Sequence, residues 1–195
     1  MNEVKNIVVI GASAGGINSV SSLLSGLSVN IDAALFVVIH LGINSQPSVI
    51  IDIFKRYTDL DCRVASNNLK FENHAVYLAP VNHQLLIEKK VMKVRKGAPE
   101  NHYRPSIDVL FRSAAAAYSC CVTGIILSGM LDDGASGMST IKKNGGVCMV
   151  QDPQEAQFPD MPVNVLQTIQ VDYTTGIDQM AKLLNERFAV AQASD

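Results

Sequence analysis

Ile7-Val8-Val9-Ile10-Gly11-Ala12-Ser13-Ala14-Gly15-Gly16 is the stretch that decides the fold. Four consecutive β-branched residues with no polar alternation read as a parallel strand covered on both faces. The small residues after it read as a tight turn from which a helix departs. Three more runs of the same kind follow: Leu35–Ile39, Ile125–Leu127 and Val147–Val150. Between them the apolar spacing is helical. Val49, Ile50, Ile53, Phe54 and Tyr57 form one stripe, Ile107, Leu110, Phe111 and Ala114 a second, and Ile177, Met180, Ala181, Leu184 and Phe188 a closing third. Strands alternating with helices predict a doubly wound α/β fold with a mostly parallel sheet. The segment from Ala75 to Val94 departs from this rhythm. Its short strand-like pieces around Lys89-Lys90 predict an antiparallel hairpin added to that sheet. With no repeat and no linker, residues 1–195 read as a single domain.

Composition excludes several classes. The chain has 195 residues, 48% of them hydrophobic and 17% charged, which suits a compact core. A formal net charge of −2 gives no reason to expect nucleic acid or an anionic membrane as partner. Every apolar run falls far short of the roughly 20 residues that a membrane span needs, so no direct membrane insertion is expected. The amino terminus, Met1 to Asn6, carries no secretory pattern. Cys62, Cys120, Cys121 and Cys148 lack metal-binding spacing and read as reduced, buried thiols of a cytoplasmic protein. Nothing in the sequence fixes whether the chain self-associates.

Three segments can carry chemistry. The turn after the first strand lifts the Ser13 hydroxyl to the carboxyl edge of the sheet, beside the positive end of the next helix. That setting favours a nucleophile, although a helix-capping serine gives the same pattern. Glycines in this place also mark dinucleotide binding. Against that, the last glycine of a G-x-x-x-G-x-G turn falls at Ile17. The second strand ends in His40 instead of an acidic residue, and no Tyr has a Lys four positions later. His40 closes the run Ala34–Ile39 at the same edge as Ser13, where an imidazole can take the serine proton. His74, His83 and His102 lie in hairpin or polar loops and read as loop-bracing or solvent-facing. The third segment, Ser128-Gly129-Met130-Leu131-Asp132-Asp133-Gly134, ends another strand and opens another helix. One of its carboxylates can orient His40, cap the helix, or join a divalent-metal site. Too few acidic residues surround the pair to complete oxygen ligation. Spacing does not choose between Asp132 and Asp133.

Together these segments resemble the methylesterase domain of bacterial chemotaxis, the CheB type: G-A-S-x-G-G after a strand, a second strand ending in His, and a later G-M-x-x-D-G turn. The resemblance continues through Arg104-Pro105-Ser106-Ile107-Asp108-Val109-Leu110-Phe111, Gly145-Gly146, Gln151-Asp152-Pro153, Phe158 and Met161-Pro162. It implies Ser13 as nucleophile, His40 as general base and Asp133 as their carboxylate partner, with the Met130 backbone amide near the developing oxyanion. The implied reaction is hydrolysis of glutamate γ-methyl esters on chemoreceptor cytoplasmic helices, often with deamidation of selected glutamines. No metal or organic cofactor is implied. A non-catalytic sensory binding module of the same fold and a serine hydrolase of another substrate are the alternatives.

Departures from the family pattern concern regulation and the substrate groove. The family normally carries an amino-terminal receiver domain, and a first strand near residue 6 leads to the expectation that it is absent here. Ala14 stands where Thr is common, and His40-Leu41-Gly42 replaces His-Met-Pro, so both positions are candidates for contact with substrate. Arg104 either braces the loop before the Pro105 helix start or binds the acidic face of a receptor helix.

Overall fold

In a computed structural model, which describes residues 4–189, the four apolar runs are parallel strands of one seven-stranded sheet. They are β1 (Ile7–Ala12), β2 (Ala34–Ile39), β7 (Val122–Ile126) and β8 (Val147–Gln151). Completing the sheet are β3 (Asp61–Val64), β4 (Ala75–Leu78) and β9 (Tyr173–Thr175), in the order β3-β4-β2-β1-β7-β8-β9. Every pairing in it is parallel. Helices α1 (Gly16–Ser25), α2 (Pro47–Phe54) and α6 (Ile177–Arg187) cover one face through residues such as Val20, Ile50, Phe54 and Met180. On the other face lie α3 (Ile107–Tyr118), α4 (Ala135–Lys143) and α5 (Asp160–Thr168), through Phe111, Met138 and Val165. Two separate apolar clusters sandwich the sheet, which is why β1 and β2 are buried at every position.

The added antiparallel hairpin around Lys89-Lys90 is present, but it begins at Gln84 and not at Ala75. Ala75–Leu78 is no hairpin strand but the parallel strand between β3 and β2, buried at all four positions. The hairpin comprises β5 (Gln84–Glu88) and β6 (Val91–Arg95), which form a separate two-stranded sheet. It packs its Leu85, Ile87 and Met92 face into the core shared with α3. The distinction was present in the pattern. AVYL is apolar throughout, as a doubly covered strand must be, whereas VMKVR carries charge at every second place from Lys93. The free edge of β6 is met by residues 68–70, where Met92 N–H donates to Leu69 O at 2.9 Å and Asn68 N–H to Met92 O at 3.0 Å. The thiol reading is also corrected. All four cysteines are free, but only Cys62 and Cys148 are buried, while Cys120 and Cys121 lie exposed in a short 3-10 turn, Ser119–Cys121, before β7.

Between β1 and β7 the order of connection reverses: α1 carries the chain from β1 to β2 on one side, and α4 carries it from β7 to β8 on the other. Open α/β sheets bind their ligands in the crevice that such a reversal leaves at the carboxyl ends of the strands. Ser13 follows β1, Ser128–Asp133 follow β7, and His40 follows β2.

Candidate active site

Ser13 is held by backbone alone. Its N–H donates to Ser128 O at 3.0 Å and its carbonyl accepts from Gly16 N at 2.9 Å. Gly15 turns the chain into α1 at φ 73, a left-handed conformation that costs a side-chain-bearing residue about 1–2 kcal/mol. The α1 cap is thus Gly15, with no side-chain capping bond, and the reading of Ser13 as a helix cap falls away. Ser128 clamps this turn from below. Its hydroxyl donates to Ala14 O at 2.8 Å and accepts from Phe158 N at 3.0 Å, while its own N–H donates to Gln151 Oε1 at 2.9 Å. Gly129 lies against the Ser13 turn so closely that an added Cβ would stand 3.0 Å from Ser13 Cβ and collide with Met161 Sδ.

His40 is the strand neighbour of Ser13. Ala12 pairs in register with Ile39, and His40 N–H donates to Ala12 O at 3.1 Å, so the next residues on the two strands are Ser13 and His40. The far nitrogen of the ring, Nε2, lies 2.8 Å from Asp133 Oδ2. The near nitrogen, Nδ1, is buried with no hydrogen-bond partner among the described residues.

Asp133 sits in a cradle of five donors. Oδ2 accepts from His40 Nε2 and from Ile107 N at 2.7 Å. Oδ1 accepts from Asn101 Nδ2 at 3.0 Å, Ser106 Oγ at 3.0 Å and Asp108 N at 3.2 Å. Two of these donors are the first amides of α3, so the carboxylate also lies at a helix amino terminus. Burial pushes the Asp133 carboxyl up, but the bonds from His40, Ile107 and Asn101 outweigh it and hold the group below its ordinary value. Hydrogen bonds to a charge contribute about 1.5–3 kcal/mol each, so five offset a burial penalty of several kcal/mol. An ionised carboxylate can only accept, so Nε2 is the donor in this bond.

Asp108 is shifted the other way. Burial raises its carboxyl, and the nearby Asp133 charge adds to this against the bond from Gly137 N at 2.6 Å. Asn101 bridges the two carboxylates, reaching Asp108 Oδ2 at 2.8 Å. These opposite displacements predict an acid profile. Asp133 contributes stability that is full above its ordinary value and lost as the pH falls through its lowered folded value; Asp108 destabilises as a carboxylate and is relieved by protonation. On acidification Asp108 therefore takes its proton first, with a gain in stability, and stability falls when Asp133 follows. Urea titrations across the acid range are expected to show that final fall in the wild-type chain and a shallower one in Asp133→Asn. Parallel profiles would contradict the assignment.

The other residues singled out from sequence divide clearly. Asp132 is exposed, and its carboxylate makes none of the bonds that the Asp133 carboxylate makes. Met130 follows Gly129 in the turn beside Ser13, and its amide has no acceptor among the described residues. Ala14 is half-buried next to Ser13. Arg104 is a brace: its Nε donates to Asn82 Oδ1 at 2.7 Å and its Nη1 to Gly97 O at 2.7 Å, with Nη2 also on Asn82. His74 and His102 are exposed, and His83 Nδ1 lies 3.0 Å from Val81 O. Sequence reasoning missed Asn101, Tyr103 and Ser128. The Arg104–Asp108 motif signalled the first two, since it fixes where α3 begins, and with it the loop that carries them.

Comparison with known proteins places residues 8–184 within the family model described as CheB methylesterase. A Leptospira interrogans protein named for protein-glutamate methylesterase and protein-glutamine glutaminase activity is 37% identical over 177 residues, covering 90% of this chain and 91% of that protein. A Methanosarcina barkeri protein-glutamate methylesterase/protein-glutamine glutaminase is 31% identical over 92% of this chain, which spans only 51% of that longer relative. Among solved structures, the Thermotoga maritima CheB methylesterase catalytic domain matches with a TM-score of 0.89 at 27% identity, over 93% of this chain and 98% of that domain.

Proposed function

The chain belongs to the CheB methylesterase family, and from that premise we propose that it hydrolyses glutamate γ-methyl esters on chemoreceptor cytoplasmic helices, with Ser13, His40 and Asp133 as its catalytic triad. Deamidation of selected glutamines would follow the same route, and the whole chain acts as one catalytic domain in the cytoplasm. The observation that carries the reading is the His40–Asp133 bond at 2.8 Å, formed by the nitrogen far from the backbone, with the near nitrogen buried and without a hydrogen-bond partner among the described residues.

The reaction then runs in two halves. Nδ1 of His40 takes the Ser13 proton as Oγ attacks the ester carbonyl, and Asp133 supports the imidazolium through Nε2–H. Negative charge on the tetrahedral oxygen develops beside the Met130 amide and the amino terminus of α1. The imidazolium returns its proton to the departing methoxide, methanol leaves, and a glutamyl ester remains on Ser13. Water enters, gives a proton to Nδ1 and attacks that ester. Collapse frees the glutamate and restores the serine. The ring is used in the reverse sense to the familiar serine-protease arrangement, where Nε2 faces the serine. Ser13 follows the strand paired with the one that His40 follows, whereas Asp133 lies in the turn after β7.

Incubation of the purified chain with methyl-labelled receptor fragments is expected to release methanol at a rate proportional to enzyme. Binding of the fragments without methanol release would favour the non-catalytic module instead. Gly129→Ala probes the turn independently. Its methyl would press on Ser13 and displace Met161, so a loss of turnover of about 10²-fold is expected from misplacing the nucleophile. Wild-type turnover in this variant would remove the close approach from the mechanism.

A further inference from the structure

Glu100-Asn101-His102-Tyr103 forms a two-residue turn of unusual construction. Tyr103 N–H donates to Glu100 O at 2.8 Å and Glu100 N–H to Tyr103 O at 3.0 Å, with Asn101 at φ 50 and His102 at φ 68. No glycine relieves these left-handed residues, so surrounding contacts must hold the turn. Three do. Glu100 pairs with Arg112 on α3, Asn101 bridges Asp108 and Asp133, and the Tyr103 ring lies over His40 with centroids 3.5 Å apart and planes 5° from parallel.

We propose that this turn is a latch on the His40–Asp133 couple, with Tyr103 as a positioning residue that fixes the imidazole plane and stabilises its protonated form. The proposal rests on the hydrolase reading above. Two neutral aromatic rings avoid a face-to-face sandwich because their negative faces repel. A cation over the same face is attracted. The stack therefore becomes more favourable when His40 gains the serine proton, so it acts in the transition state and leaves substrate binding alone. The ring plane matters as much as the charge. His40 must direct Nε2 at Asp133 and Nδ1 at Ser13 together, and a ring rotated out of that plane serves neither. The phenol takes no part in proton transfer. Burial, with the Asp133 and Asp132 charges adding to it, pushes Tyr103 above its ordinary value and keeps it neutral.

The test replaces Tyr103 by Phe, by a series of increasingly fluorinated phenylalanines, and by Leu, each in the full chain and beside a Ser13→Ala control. Fluorination drains the ring face of negative charge while keeping its shape, so folding is not at issue. Tyr103→Phe is expected to stay within about 2-fold of wild type, with kcat declining steadily along the fluorinated series. Tyr103→Leu should lose about 10-fold in kcat with KM unchanged. A flat fluorinated series, or a change confined to KM, overturns the latch. Should Ser13→Ala retain turnover, the hydrolase reading fails and the latch with it. An inactive Ser13→Ala beside a flat series leaves that reading intact and removes only the latch.

Discussion

Ser13→Ala is expected to reduce methanol release by about 10⁴-fold or more, because removing the nucleophile of a serine triad leaves only positioning and oxyanion stabilisation. The fold should be nearly unaffected. Ser13 is tied into the turn through its backbone, to Ser128 O and Gly16 N, and its hydroxyl caps no helix. Urea denaturation of the variant is therefore expected to differ from wild type by less than about 1 kcal/mol, a surface-scale change. Substrate affinity should persist, so a receptor fragment that binds Ser13→Ala without being demethylated is the expected behaviour. Near-normal turnover in this variant would place the nucleophile elsewhere.

Asp133→Asn should also lose about 10⁴-fold in kcat, and here the fold is affected too. Both oxygens of Asp133 receive donors, Oδ2 from Ile107 N and His40 Nε2, and Oδ1 from Asn101, Ser106 and Asp108. An amide presents one oxygen and one NH2 group, so a donor must face a donor at one of the two positions. The ring tautomer is thereby disturbed, and a buried unsatisfied group costs about 1–3 kcal/mol. Asp132→Asn makes the matched control. Asp132 is exposed, and in this turn it is its carbonyl that is engaged, accepting from Ala135 N at 3.2 Å. Turnover and stability of this variant are expected within about 2-fold and 0.5 kcal/mol of wild type. A more damaging Asp132→Asn would reassign the carboxylate.

What was legible in the sequence follows burial. Ile7–Ile10, Leu35–Ile39, Ile125–Leu127 and Val147–Val150 announced themselves because both faces of those strands are covered, which demands an uninterrupted apolar run. The edge strands β3 and β9 were silent. Asp61 and Arg63 in the one, and Tyr173 in the other, face solvent, so no apolar run marks them. Helix α5 was not read from an apolar stripe; its Pro162 stands in the first turn, where proline is tolerated. The site was half legible. Ser13, His40 and Asp133 each end a readable strand or open the turn after it, but nothing local distinguishes Asp133 from Asp132. That choice is made by α3, whose first amides point at one carboxylate only. The Arg104–Asp108 motif, which reads as a helix start, is at once a helix start and the carboxylate's cradle. Such a dual role is visible only when distant segments meet. For Tyr103 the signal is weaker still, since stacking on His40 depends on a left-handed turn with no glycine to mark it.

Rapid acid quenching of the wild-type chain during turnover of a methylated receptor peptide, followed by mass-spectrometric mapping, reads the chemistry at its centre. The glutamyl group is expected as an ester on Ser13, absent from Ser13→Ala and from His40→Ala. Turnover that proceeds with no such adduct, or with an adduct on any other residue, would contradict Ser13 as the nucleophile.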